Sequence, residues 1–393
     1  MDVEQLREDV RAGRITPDRL IDLIVALQRR IEELERQLGS GSSSKIPEPF
    51  SVEAEERRQE ARDKVCLLMN FFQHLKLRKS QANALLNQLA RQWQEEFDLL
   101  CLLLANSLVV HTDETGWSIN SVWAFLSEKV RVLFFGVHKD AETLRQILDP
   151  ATFAGLVISD DAAVYANFTQ PQKCWAHFLR KPIKLTLLEP SNAVYRQFTD
   201  RLLEIYREAC RVQRDRRLSA EGRKSKVAAL DDEIFDLCFP VWVAELPPGE
   251  GPEDDYRRLC NEMMRVMLAK QLFTFVTAGP VEKPNGEMLI VSGTNNEAER
   301  TLRSPAQARG TGRTNKTVAG ARRQTVIVSV LESLRQHLST FTLSSVIEEI
   351  RRWCETGRSC FARLAEKLGL IGRGLPDDGR LSLLERVIPV PDG

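Results

Sequence analysis

Residues Ser107–Lys139 read SLVVHTDETGWSINSVWAFLSEKVRVLFFGVHK. Three runs rich in Val, Phe and Trp stand out: SLVVHTDET, SVWAFLSEKV and RVLFFGVHK. β-branched and aromatic side chains suit a pleated, half-buried surface. Each run therefore predicts a strand, with a turn at Ser127 to Lys129 between the second and third. AETLRQIL then predicts a short helix. GLVISDD (Gly155 to Asp161) predicts a buried strand ending in two carboxylates, and KCWAHFLRKPIKL begins strand-like and turns helical. Strand, strand, strand, helix, strand, then strand or helix is the order of an α/β core with a mixed sheet.

Outward from this core the pattern is helical on both sides. Residues 51–106 are rich in Arg, Gln, Leu and Ala, and LKLRKSQANALLNQLARQW fits two short helices. They form either a DNA-binding helix-turn-helix or a layer packed on the next domain. Gly39 to Pro49 (GSGSSSKIPEP) reads as a linker, flexible through Gly and Ser and then stopped by Pro. Within residues 1–38, Leu20, Ile24, Leu27, Ile31, Leu34 and Leu38 alternate steps of four and three. That seam, roughly three heptads long, predicts a coiled coil that pairs subunits, with docking on its own domain as the alternative. On the C-terminal side, strand signals vanish from Glu189 to Phe275, which predicts a helical insertion at about 189–283 inside a domain spanning 107–340. NNEAERTLRSPAQ begins the next helix, with Asn295 or Thr294 as its cap. TVIVSVLESLRQHL reads as a long apolar helix, and residues 341–393 as further helices and a loose tail.

Composition removes whole classes of function. Of the 393 residues, 43% are hydrophobic and 28% charged, an ordinary globular balance. Lys plus Arg equals Asp plus Glu at 55 each, so any polyanion site must arise from local clustering. The eight cysteines include no CxxC pair, which disfavours a disulfide framework or a Cys-rich zinc site and points to a reducing cytoplasm. No apolar run is long enough to span a bilayer.

Three carboxylates occupy places where chemistry can be built. Asp113 follows the apolar run LVVHT, Asp160 ends LVIS, and Glu299 lies on the helix after TNN. Acids at strand ends and on an adjoining helix can meet at one edge of a sheet. There they repel one another unless protonated or bound to a cation. Their hard oxygens suit Mg²⁺ or Mn²⁺, and two such ions serve phosphoryl transfer.

The contexts of these acids are more specific than their spacing. HTDETGW (His111–Trp117), SDDAAVY (Ser159–Tyr165), CWAHFLRK (Cys174–Lys181) and NNEAERTLR (Asn295–Arg303) occur in this order. Together, over about Ser51 to Ile350, they resemble the insertion-sequence 66 family of bacterial DDE transposases. The resemblance implies a ribonuclease-H-like catalytic domain and Asp113, Asp160 and Glu299 as catalytic and metal-binding residues. It also implies DNA, both element ends and target, as partner. The implied setting is the bacterial cytoplasm at the nucleoid, in a homodimer or higher oligomer, with accessory element-encoded proteins. The chain departs from the family at Asp161, where Gly is usual, at Thr294, and in lacking a Cys-rich segment after the coiled coil. A nuclease of the same fold that cuts without joining, and a non-catalytic DNA-binding descendant, are the alternatives.

Neighbouring residues sort by geometry. Adjacent strand residues point to opposite faces, so Glu114 and Asp161 should not join Asp113 and Asp160. Glu297 lies roughly 200° around the helix from Glu299 and should face away. His177 either supports the active site or is a structural histidine. Trp175 and Cys174 read as core. From Arg300 to Arg323 the chain carries Arg300, Arg303, Arg309, Arg313, Lys316, Arg322 and Arg323 and no acid. With Arg180 and Lys181, these are the expected contacts to the DNA backbone.

Overall fold

The structure, a computed structural model, describes residues 78–246, 249–282, 288–371 and 383–388. The expected coiled coil (1–38), the linker (39–50), residues 51–77 and most of the tail beyond 371 lie outside the described residues.

The described chain is mixed α/β. Two helices, α1 (Lys79–Gln92) and α2 (Gln94–Ala105), lead into strands β1 (Val109–Gly116), β2 (Ser121–Ser127) and β3 (Arg131–Val137). Helix α3 (Ala141–Ile147), β4 (Leu156–Ser159), a 3₁₀ turn (Ala163–Tyr165) and β5 (Gln170–Lys173) complete one sheet. Its order is β3-β2-β1-β4-β5. β1, β2 and β3 pair antiparallel, while β4 runs parallel to both β1 and β5. At the β2–β3 pairing the register shifts beside Ser121. Gly136 there adopts φ 83°, where a Cβ would also lie 2.9 Å from that of Ala321.

Helix α4 (Trp175–Leu188) leaves β5, and the chain then runs through α5 (Ala193–Arg214), α6 (Ala220–Cys238), α7 (Pro252–Leu268) and α8 (Thr274–Ala278). A two-stranded ribbon, β6 (Val281–Glu282) and β7 (Met288–Leu289), precedes α9 (Asn296–Gly310) and α10 (Val318–His337). Helices α11 (Leu343–Thr356), α12 (Cys360–Lys367) and α13 (Leu383–Val387) follow. The sequence reads the last part of the chain as loose. Within it, however, Leu384, Val387 and Ile388 are buried in the main core, because they put three large apolar groups on one short turn. Among the described residues, no helix is long and apolar enough to cross a membrane.

Strand alternation divides the core between the faces of the sheet. On one face, Val110, Trp123, Phe125, Phe134 and Val157 meet Phe97, Leu100, Leu103 and Leu104 of α2 and Val330 and Leu334 of α10. The short helices of residues 78–106 are thus a packed layer, joined through a single residue, the buried Trp93. The other face is shared. Val109, Leu156 and Ile158 pack with Trp175 and Phe178 of α4 and with α5 to α8. Val122, Ala124, Leu126, Leu133 and Phe135 pack beneath Ala298 and Leu302 of α9.

The outer edge of β3 is closed by hydroxyl groups rather than by another strand. Along α10, Thr325, Ser329 and Ser333 recur every four residues and so line one face. Their hydroxyls accept the N–H groups of Phe135 (2.9 Å), Leu133 (2.9 Å) and Arg131 (3.0 Å). Ser329 and Ser333 also donate to the carbonyls of Leu133 and Arg131. Free edge groups would otherwise be buried without partners. Ser329→Ala should therefore cost about 1–3 kcal/mol, the penalty of an unsatisfied buried amide. A loss of unfolding free energy below roughly 0.5 kcal/mol in urea titration would show that the hydroxyl ladder does not hold the helix to the edge.

Candidate active site

The register of β1 against β4 places the first two acids. Val109, Val110 and His111 pair with Leu156, Val157 and Ile158. Two more places along the same register set Asp113 level with Asp160. Both then share the face of Val109 and Ile158, by the period of two. Asp113 lies within β1, which continues to Gly116, and Asp160 immediately follows β4.

Glu299 comes from the first turn of α9, which crosses that face. Asn295 occupies the cap position of this helix but does not cap it with its side chain. Its amide instead donates to the Thr112 carbonyl at 2.7 Å, and its backbone N–H points at Cys174 Sγ at 3.1 Å. The backbone N–H of Trp175 donates to the Gly293 carbonyl at 3.0 Å. Three segments far apart in sequence are thus joined beside Asp113. Glu299 is then held from α4: Arg180 Nη2 donates to Oε2 at 2.8 Å, and His177 Nε2 stands 3.1 Å from Oε1.

The electrostatics follow from this crowding. Burial first, then the charge of Glu114, and also those of Asp160 and Glu299, push the Asp113 carboxyl up to about 7, against a backbone hydrogen bond from Glu114. Burial also works to raise Glu299, but Arg180 and His177 outweigh it and leave that carboxyl below its ordinary value. The set is short of positive charge at Asp113, and Glu299 Oε1 is a buried oxygen without an aligned hydrogen bond. Hard oxygens around a carboxylate that resists ionisation have the chemistry of a divalent-cation site, although among the described residues the side chains whose ligand atoms already lie within 4.8 Å of one another are Cys174, His177 and Glu299, not the three acids.

The neighbours divide as the alternation requires. Glu114 faces the opposite side, where its buried carboxylate accepts from Tyr165 Oη and pairs with Lys139. Tyr165 in turn accepts from Trp123 Nε1 at 2.7 Å. Asp161 turns to Arg265 and Lys173. Glu297 pairs with Arg131. Trp175 and Cys174 are buried.

Three cations near the acids were not read from the sequence. Lys139 is half-exposed above Glu114, within the fields of Asp160 and Asp113, and Glu114 holds its ammonium above the usual range. Lys173 is buried, donates to the Asp160 carbonyl at 3.1 Å, and is lowered by that burial. Arg265 reaches Asp161 from α7. A lone Lys after a strand carries no local signal of such a role.

The expected DNA contacts separate into two groups. Arg322 donates to the Ile388 carbonyl at 2.7 Å and Arg323 to Asn87 at 3.0 Å, so both tie α10 to other helices. Lys181 pairs with Glu262, and Arg180 with Glu299. Arg309 donates to the Gly116 carbonyl at 2.9 Å, and Ser118 to that of Asn315 at 2.5 Å, which fixes the basic loop beside the end of β1. Arg300, Arg303, Arg313 and Lys316 are exposed, with no ion pair among the described residues.

The comparisons with known proteins agree with the motif reading. The family model described as Transposase IS66 family matches residues 67–323. The chain belongs to the IS66 family of transposases. The match takes in every strand of the main sheet, α9 and the basic loop that follows it. No curated protein and no solved structure matches the chain.

The raised Asp113 carboxyl has a consequence for the cation-free IS66-family chain. Unfolded, this group titrates at about 3.9; folded, at about 7. Between those values the folded chain binds the extra proton, so stability falls as pH rises through the window. In chelator, Asp113→Asn should gain on the parent by a few kcal/mol on going from about pH 5 to pH 8. Parallel pH dependences of the two proteins in urea titrations would refute the crowding.

Proposed function

We propose that this chain is a DNA transposase that cuts phosphodiester bonds at the ends of its element and joins the freed 3′ ends to target DNA. The observation that carries this reading is the register that sets Asp113 of β1 level with Asp160, just beyond β4, with Glu299 of α9 near enough for its charge to raise Asp113. The sheet order, with three antiparallel strands followed by two parallel ones, supports a ribonuclease-H-like domain, with α5 to α8 as its helical insertion.

In this mechanism Asp113, Asp160 and Glu299 would hold Mg²⁺ or Mn²⁺, as two ions. When bound, such ions neutralise charge at the scissile phosphate and favour the ionised form of an attacking water or sugar hydroxyl. The protein's own work is positioning. Arg180 and His177 fix the Glu299 carboxylate. Lys139 offers an ammonium near the same acids. Arg300, Arg303, Arg313 and Lys316 line the DNA path, and Arg309 secures the loop that carries the last two. Catalysis is then alignment and charge stabilisation, with no covalent intermediate on the protein. Two element ends call for two active sites, and the Leu20 to Leu38 seam offers the means of pairing chains.

Asp113→Asn, Asp160→Asn and Glu299→Gln should each reduce metal-dependent cleavage of element-end DNA by at least about a thousandfold. DNA affinity should change little. Cleavage that survives in Asp160→Asn would move the second acid elsewhere, and cleavage without strand transfer would make the protein a nuclease.

The exposed cations give a separate test. Phosphate contacts release counterions, so their loss flattens the dependence of affinity on salt. Neutralising Arg313 and Lys316 together should weaken binding to all sequences alike and lower the salt slope by about two contacts' worth. An unchanged slope would place this loop away from the DNA.

A further inference from the structure

We propose that Cys174, His177 and Glu299 form a second site, sharing Glu299 with the acids, for a thiophilic divalent cation, of which Zn²⁺ is the type. Cys174 immediately precedes α4 and His177 lies in its first turn, so a C-x2-H spacing sets thiol and imidazole on one side of the helix start. Glu299 reaches them from α9. One ligand atom from each residue, a thiol sulfur, a ring nitrogen and a carboxylate oxygen, lies within 4.8 Å of the other two.

The second observation concerns the carboxylate. Glu299 Oε2 is taken by Arg180 at 2.8 Å. Oε1 is buried and lacks an aligned hydrogen bond, although His177 Nε2 stands 3.1 Å away. One oxygen is therefore anchored, and the other faces only the imidazole of His177, itself a member of the proposed site. A tetrahedral zinc ion, with bonds of about 2.0–2.3 Å, sets its ligand atoms roughly 3.3–3.7 Å apart. The edge between His177 and Glu299, at 3.1 Å, is already about that short, and the edges to the Cys174 sulfur would shorten by up to about 1 Å to close on an ion. The backbone N–H of Asn295, 3.1 Å from Cys174 Sγ, is placed to support a coordinated thiolate.

The mixed sulfur, nitrogen and oxygen set separates this site from one for Mg²⁺, which requires oxygen ligands. Zinc bound here would occupy Oε1 of Glu299 and withdraw that carboxylate from Asp113 and Asp160. The site would then act as a zinc-operated brake. This consequence rests on the proposed transposase reading, whereas the binding itself does not.

Cobalt titration of the full-length chain, with Co²⁺ as probe, tests the binding. The parent protein should develop a thiolate-to-cobalt charge-transfer band that Zn²⁺ displaces. Cys174→Ser should lose the band, and Cys174→Ser and His177→Ala should each bind at least about tenfold more weakly. Serine retains an acceptor for the Asn295 N–H, and circular dichroism checks that both variants are folded. Cobalt binding without the band in the parent, or an undiminished band in Cys174→Ser, overturns the site. Cleavage in Mg²⁺ gives the second readout: inhibition by Zn²⁺ that Cys174→Ser relieves supports the brake. A displaced band with no inhibition keeps the metal site and counts against the catalytic role of Glu299.

Discussion

One buried amide holds the arrangement together. The Asn295 side chain donates to the Thr112 carbonyl, one residue before Asp113, and its backbone N–H meets Cys174 at the start of α4. The crossing helix reaches the strand from 183 residues away and the start of α4 from 121. The tie brings the start of α9 beside β1, where the charge of Glu299 reaches Asp113. The bond is worth more than its length suggests, because a carbonyl inside the sheet left without that partner would be costly. It also explains why an asparagine at a helix start does not cap its own helix.

Around that junction the sheet separates charge by face. Asp113 and Asp160 share one side, and Glu114 takes the other with Tyr165, Trp123 and Lys139. Adjacent carboxylates in the HTDETGW segment are thereby kept from pointing into the same space, although Glu114 is still near enough to raise Asp113. Cations are set at the rim: Arg180 and His177 beside Glu299, Lys139 above Glu114, and Lys173 beneath Asp160. A group of acids that would be unstable alone becomes tolerable, yet it stays deficient in positive charge where Asp113 sits.

The same economy appears in the outer layers. The hydroxyls of Thr325, Ser329 and Ser333 close the edge of β3, so the sheet ends against a helix and not against solvent. Directly before them on α10, Arg322 and Arg323 fasten that helix to α13 and α1. The basic run after Glu299 therefore has two parts, an exposed loop held by Arg309 and Ser118 and a buttress turned into the protein.

Sequence alone was enough to read the change of period at Ser107, the mixed sheet, the helical stretch after Glu189 and the order of the four motifs. It was also enough to recognise the family, which residues 67–323 match. Strand alternation assigned Glu114 to the face away from Asp113, and the helical period assigned Glu297 to the side away from Glu299. These features are local: they depend on side-chain period and on residue types within a few positions. The partners of the charged and polar groups were decided only by the tertiary structure. Nothing near Asn295 announces Thr112, nothing near Arg322 announces Ile388, and Ser329 reads as neutral within an apolar helix until β3 lies beside it. A polar side chain finds its role through whichever unsatisfied group the fold brings within about 3 Å, and that group stands 66 to 196 residues away in these cases.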